Sequence, residues 1–269
     1  TGVQTCALPI CISPSKVADI LFISDLETVK VEKVIIGGEL VAERGKMIKE
    51  DAPVTYPDWS KNTVKLGKTL SPEDFKVEVQ GDSATVRVME IEEAKVGTKS
   101  ITETIDVVNG NVVPDVEKDI AKVALFERHN ETGTRGLGFA KGFGLNAGAA
   151  ASTVAHDSHN LLIVGMDEED MAFAGNQLVK AGGGMIVVKD KKVLALLPLP
   201  VAGLLTDRPV EEVHAQVEKL DEAWKELGCK LVSPFMTMAL LGLPVLPQLR
   251  ISNRGLVDTM NFKFVEVLA

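Results

Sequence analysis

The run Ala155-His156-Asp157-Ser158-His159-Asn160 gathers two imidazoles, a carboxylate, a hydroxyl and a carboxamide, in a chain of 269 residues with only four histidines. A second polar cluster, Glu127-Arg128-His129, holds a third histidine. Imidazoles transfer protons near neutral pH, and Asp157 is suited to orient a histidine or to take a proton from a bound base. Asn160 offers a donor and an acceptor to a purine-like edge. Packed cores have no need of so many polar groups at such density.

Each cluster has competing readings. His156-x-x-His159 would bring two imidazoles to one metal on a helix. Asp157 and Ser158 favour a turn, however, and spacing fixes no third ligand. A substrate-facing polar loop is preferred over a self-contained metal site or a structural turn. Glu127-Arg128-His129 reads either as an ion pair capping a strand or as part of a site. The glycine-dense stretch from Gly133 to Gly144 matches neither the dinucleotide nor the P-loop pattern. Tight turns, or a mobile flap bordering a site shared by the two clusters, are expected there. Gly182-Gly183-Gly184 reads as a helix stop, and His214 receives no role. Ser152 and Ser158 lack a nucleophile-elbow context, which argues against a serine hydrolase.

The elements that must hold these residues are readable from periodicity. Residues 17–23 and 29–36 read as strands, Gly37-Gly38 as a hairpin turn, and 39–42 as the return strand. Residues 49–61 carry Pro53, Pro57 and several charges without periodicity, as a linker would. Strands are expected over 75–79, 84–91 and 100–108. Another at 123–126 ends on the Glu127 cluster, and strands at 148–154 and 161–164 flank the histidine motif. One helix begins at the N-cap Asp167, carries the stripe Met171, Ala174, Leu178 and Ala181, and stops at Gly182. A second lies between Pro209 and Gly228, with the stripe Val213, Val217, Leu220, Trp224 and Leu227. The texture is α+β: a mixed sheet with a few helices.

Composition narrows the function classes. A net charge of −9 with no basic stripe disfavours nucleic acid and anionic membranes, and 4% aromatics leaves few stacking platforms. Three cysteines without CxxC spacing fit a reducing compartment. The apolar run from Val193 to Leu205 is short for a bilayer span and is broken by Pro198 and Pro200. The expectation is a cytoplasmic protein. Residues 1–10 contain no charge and match the conceptual translation of a common sequencing adapter, so they are expected to be a non-native scar. The gene is then expected to continue upstream.

From about Lys16 onward the chain resembles the bacterial and archaeal adenine deaminases of the amidohydrolase superfamily. The resemblance is carried by residues 67–75 (Gly-Lys-Thr-Leu-Ser-Pro-Glu-Asp-Phe) and by Glu127-Arg128-His129. Gly136-Leu137-Gly138-Phe139 with Gly142-Phe143-Gly144, the run from Ser152 to Asn160, and the run from Leu196 to Gly203 complete it. It implies that residues 11–48 are the end of the superfamily's small β-sandwich and that 62–269 are the family's C-terminal domain. It further implies hydrolysis of adenine to hypoxanthine and ammonia, with manganese or iron held by an upstream (β/α)8 barrel. That barrel is missing here, so no metal is expected in this chain, no catalytic residue is assigned, and the chain alone is expected to be inactive. Glu127, Arg128, His129, His156, Asp157, Ser158, His159 and Asn160 are then candidates to bind substrate or to cover the site as a lid. The implied partners are adenine and the protein's own barrel, with a homo-oligomer left open. A stand-alone purine-binding domain and an independent metalloenzyme built on His129, His156 and His159 are the alternatives.

Overall fold

Short strands distributed along the whole sequence build the sheets of this protein, seen in a computed structural model that describes residues 12–48, 54–92 and 95–269. The expected scar at 1–10 and the first part of the expected linker lie outside the described residues. The chain divides into two units, Thr1–Thr55 and Tyr56–Ala269.

The first unit is a four-stranded antiparallel meander of β1 (Ile20–Asp25), β2 (Lys30–Ile36), β3 (Glu39–Glu43) and β4 (Lys46–Met47). The Gly37-Gly38 turn joins β2 to β3, and the Asp19 carboxylate accepts the Gly37 N–H at 2.7 Å.

In the second unit, nine strands form one sheet. They are β5 (Ser83–Ile91), β6 (Thr98–Val108), β7 (Asn111–Val112), β8 (Ile120–Phe126), β9 (Arg135–Lys141), β10 (Ala149–Ser152), β11 (Leu161–Gly165), β12 (Gly184–Lys189) and β13 (Lys192–Pro198). Their order is β13-β12-β10-β11-β8-β9-β5-β6-β7, and every pair is antiparallel except β5 with β9. Three helices, α1 (Glu168–Ala181), α2 (Val210–Glu226) and α3 (Pro234–Leu241), and a three-stranded sheet of β14 (Leu249–Ser252), β15 (Gly255–Asp258) and β16 (Lys263–Val265) complete the unit. The fold is α+β.

Both faces of the central strands are covered, which explains why residues 123–126 of β8 and 161–164 of β11 read as unbroken apolar runs. Leu161 and Ile163 pack with Met171, Ala174 and Leu178 of α1. Leu162 and Val164 point the other way, into a cluster with Leu220, Trp224 and Leu227. Each such burial contributes roughly 1.5–3 kcal/mol. Helix α1 starts where its sequence says it should, because the Asp167 carboxylate accepts the Asp170 N–H at 2.9 Å. It ends at Gly182, which adopts φ +77°. Only the C-terminal half of α2 docks fully: Trp224 stacks on Phe143 and meets Phe235 edge-on, whereas Val217 is exposed.

Two local expectations fail. The segment 75–79 does not extend as a strand, because Pro72–Phe75 forms a 3-10 turn that buries Phe75 completely. The Asp74 carboxylate accepts the Ser71 N–H at 2.9 Å and its hydroxyl at 3.2 Å, and this local bonding outcompetes the ladder. The glycines after Gly133 make no flap. They form β9, near the middle of the sheet, with the β14–β15 hairpin laid directly upon it. A Cβ on Gly136 would stand 2.0 Å from the Ser252 carbonyl oxygen, and one on Gly138 would stand 2.8 Å from Leu256 Cδ2. Close packing, not mobility, requires them.

Candidate functional site

Strand pairing brings the two polar clusters together. Leu161 at the start of β11 lies opposite Phe126 at the end of β8, so residues 127–129 and 156–160 emerge at the same edge of the sheet. Gly142 and Gly144 leave β9 at the opposite end, beyond Lys141, which pairs with Ile120. They line a separate cleft of about 500 Å³ with Asp119 and Asn146.

Arg128 is the hub of the corner. It is 1% exposed, and its bonds reach three separate pieces of chain. Its backbone N–H donates to Asn160 Oδ1 at 3.3 Å, and its Nε to the His159 carbonyl at 2.5 Å. Nη1 donates to the Thr63 carbonyl at 3.3 Å and Nη2 to the Ala202 carbonyl at 3.1 Å. Burial pushes the guanidinium down to about 10, opposed by the Glu127 carboxylate, so it stays charged at neutral pH. The guanidinium fits only because residue 203 is glycine: a Cβ there would approach Nη1 to 2.9 Å. The Gly203 carbonyl in turn accepts the Thr153 hydroxyl at 2.6 Å, and that hydroxyl accepts the Gly184 N–H at 2.8 Å. Thr63, Thr153, Ala202 and Gly203 therefore belong to the corner. The readable signal for Ala202 and Gly203 is the run from Leu196 to Gly203, and for Thr153 the run from Ser152 to Asn160, while Thr63 lies in no sequence motif; no spacing rule reveals their contact with Arg128.

Glu127 turns inward and caps the bend that follows β8. Its carboxylate accepts the N–H groups of His129 at 2.5 Å, Asn130 at 2.9 Å and Thr132 at 3.1 Å, and the Thr132 hydroxyl at 3.1 Å. Burial raises its pKa, but these donors outweigh burial and hold it below the usual glutamate value.

The remaining candidates line the outer part of the corner. His129 is exposed, with Nε2 2.8 Å from the Ser158 carbonyl oxygen. If the ring is neutral, that contact makes Nε2 the protonated nitrogen. Asp157 and Ser158 are exposed at the turn, while His156 and His159 are half-buried, with ring centroids 5.7 Å apart and planes tilted by 53°. The two Nδ1 atoms are buried and bond to no protein atom among the described residues. The His159 pKa is lowered, by burial first and then by His156 and Arg128, against the opposing pull of Asp157. Its ring is neutral at pH 7 and is available as a base or hydrogen-bond partner. Asn160 is buried and spends its side-chain oxygen on Arg128. Among the described residues no three His, Cys, Asp or Glu side chains are placed to hold a metal ion. The corner thus divides into an inner frame (Glu127, Arg128 and Asn160) and an outer polar surface formed by His129, His156, Asp157, Ser158 and His159.

Comparison with known proteins places the same residues in a family. Residues 95–263, which include both clusters, match the model of the adenine deaminase C-terminal domain. The chain belongs to that family. It is 56% identical over 259 residues to an adenine deaminase of Moorella thermoacetica, a match covering 96% of this chain and 44% of the relative. An adenine deaminase of Clostridium botulinum is 50% identical over 257 residues, covering 95% and 43% respectively. One of Paracoccus denitrificans is 40% identical over 258 residues, covering 96% and 43%. The chain spans somewhat under half the length of these curated relatives. No helix among the described residues is long and apolar enough to cross a membrane.

Proposed function

We propose that this chain is the C-terminal part of an adenine deaminase and that its histidine corner faces the substrate of the intact enzyme. The single observation that carries this reading is the Arg128 frame, in a chain that belongs to the adenine deaminase C-terminal domain family. The frame fixes the backbone of the His156–Asn160 turn from behind and leaves proton-transfer groups in front. Under this reading residues 62–269 are the C-terminal domain, 49–61 the linker and 11–48 the last strands of the superfamily's β-sandwich. Residues 1–10 are a scar. The exposed Leu21, Phe22 and Ile36 suit a sheet that completes a larger sandwich.

In the reaction, water adds at C6 of adenine, the C6–N bond breaks, and hypoxanthine and ammonia leave. A manganese or iron ion, held by residues of an upstream barrel, would lower the pKa of that water when bound. The described residues of this chain do not fit such an ion, so its own share of the work is different. Neutral His159, with Asp157 beside it, is suited to orient the base or to carry a proton between solvent and the departing amine. The partners are adenine and the barrel, without nucleic acid or membrane, in the cytoplasm.

Adenine turnover is to be compared for this chain alone, with and without manganese, and for the chain joined to the upstream part of the Moorella thermoacetica relative. Activity in the joined protein and none in the chain alone is the expected result. Turnover by the chain alone, lost on His156→Ala or His159→Ala, would establish the independent metalloenzyme instead.

A further inference from the structure

Of the two tryptophans in the chain, Trp224 is 1% exposed and Trp59 is 83% exposed. Trp59 is not on a loose tail. It sits in the 3-10 turn Asp58–Ser60, whose Ser60 is buried and donates its N–H and hydroxyl to the Pro57 carbonyl at 2.9 and 2.7 Å. The Ser60 carbonyl accepts the Ala202 N–H at 2.5 Å, so the turn is fastened to the same segment that holds Arg128. Beside the indole lies an open cleft of about 560 Å³, walled by Asp58, Trp59, Lys61, Thr63, Lys65 and His129 together with Asn62.

We propose that this face is where the upstream part of the full-length protein docks, with Trp59 as its anchor. The inference rests on the adenine deaminase reading and adds the surface of contact to it. An exposed indole on a hydrogen-bonded turn, bordered by two lysines, a carboxylate and polar side chains, has the composition of an interface centre with a polar rim. The Moorella thermoacetica relative extends well beyond the 44% of its length matched here, which supplies an occupant from the same polypeptide. Lys61 and Lys65, with Asp58 beside them, set its chemistry: an apolar recess for the indole with carboxylates placed to meet the two lysines. The position also serves the site. His129 bonds the Ser158 carbonyl at 2.8 Å, so an element seated on Trp59 abuts the turn that carries Asp157 and His159.

Hydroxyl-radical footprinting of the full-length protein tests this without any substitution, because oxidation is read residue by residue. Trp59 is expected to lose its labelling and react as slowly as buried Trp224, with protection persisting when the protein is diluted to monomer. Protection that disappears on dilution would assign the face to a second copy of the chain and overturn the proposal. So would Trp59 labelling at the rate of a free indole. A deaminase assay on the same sample separates the two readings. An active protein with an unprotected Trp59 overturns the docking surface alone, whereas an inactive one puts the function itself in question. As a second arm, Trp59→Ala in the full-length protein should expose the docked face to exchange with deuterium, and Trp59→Phe should restore part of the protection. Exchange unchanged by Trp59→Ala counts against the anchor.

Discussion

The guanidinium of Arg128 donates through Nε to the backbone carbonyl of His159, so the histidine turn is held by its main chain and its imidazole is left uncommitted. A buried cation with fixed bonds to several loops positions a neighbouring group with little motion. Its removal leaves carbonyls of His159, Thr63 and Ala202 without partners.

Arg128→Ala should therefore cost about 3 kcal/mol or more, the sum of several unsatisfied buried acceptors and a void. Arg128→Lys should recover little, because one ammonium cannot reproduce the fork. Gly203→Ala is expected to destabilise as well, since its methyl would press on Nη1 and residue 203 holds φ +71°. Urea unfolding of the three variants checks the order. An Arg128→Ala protein as stable as the parent would remove Arg128 from the frame.

Acid stability should report His159. Its folded pKa lies below the ordinary 6.5, so the unfolded chain takes up its proton first as pH falls. Stability is full above about 6.5 and drains away as pH drops from there through the folded value. His159→Asn removes this linkage while keeping a side chain that tolerates the residue's φ of +50°. The difference in Tm between parent and variant is expected to shift against the parent between pH 7 and pH 5. A difference that stays flat over that range would contradict the lowered pKa.

At the far end of β8, Lys122 is completely buried and donates to the Glu168 carboxylate at 2.6 Å, with Asn111 Nδ2 donating to the same oxygen at 2.9 Å. Burial lowers the lysine, and Glu168 opposes that shift. Glu168→Ala strands the cation and should cost about 3–5 kcal/mol. Adding Lys122→Met should return much of that loss, giving a double variant well short of additive. Additive losses in a double-mutant cycle would show that the pair is not coupled.

Much of the scaffold was legible in the sequence because local signals agreed with burial. Asp167 and Gly182 bound α1, and the apolar runs of β8 and β11 are strands covered on both faces. The adjacency of the two polar clusters followed from those strands. Other parts were written in contacts distant along the chain. Gly136 and Gly138 looked like flap residues until the β14–β15 hairpin lay on them. Helix α3 is apolar on nearly all sides, so it offers no stripe to read, and Pro234 marks only its start. Arg128 and Asn160 looked like site residues and are spent on the frame, because a side chain's exposure is not encoded in its type.

The central claim is that the frame holds His159 and Asp157 toward the substrate of the intact enzyme. Its most direct test is kcat/KM for adenine in the full-length protein bearing His159→Ala, His159→Asn or Asp157→Ala, measured beside unfolding free energy. The account predicts a loss of about 100-fold or more, the scale of a proton-transfer group, with stability changed by less than about 1 kcal/mol. Full activity in these variants, or a loss matched by unfolding, would contradict it.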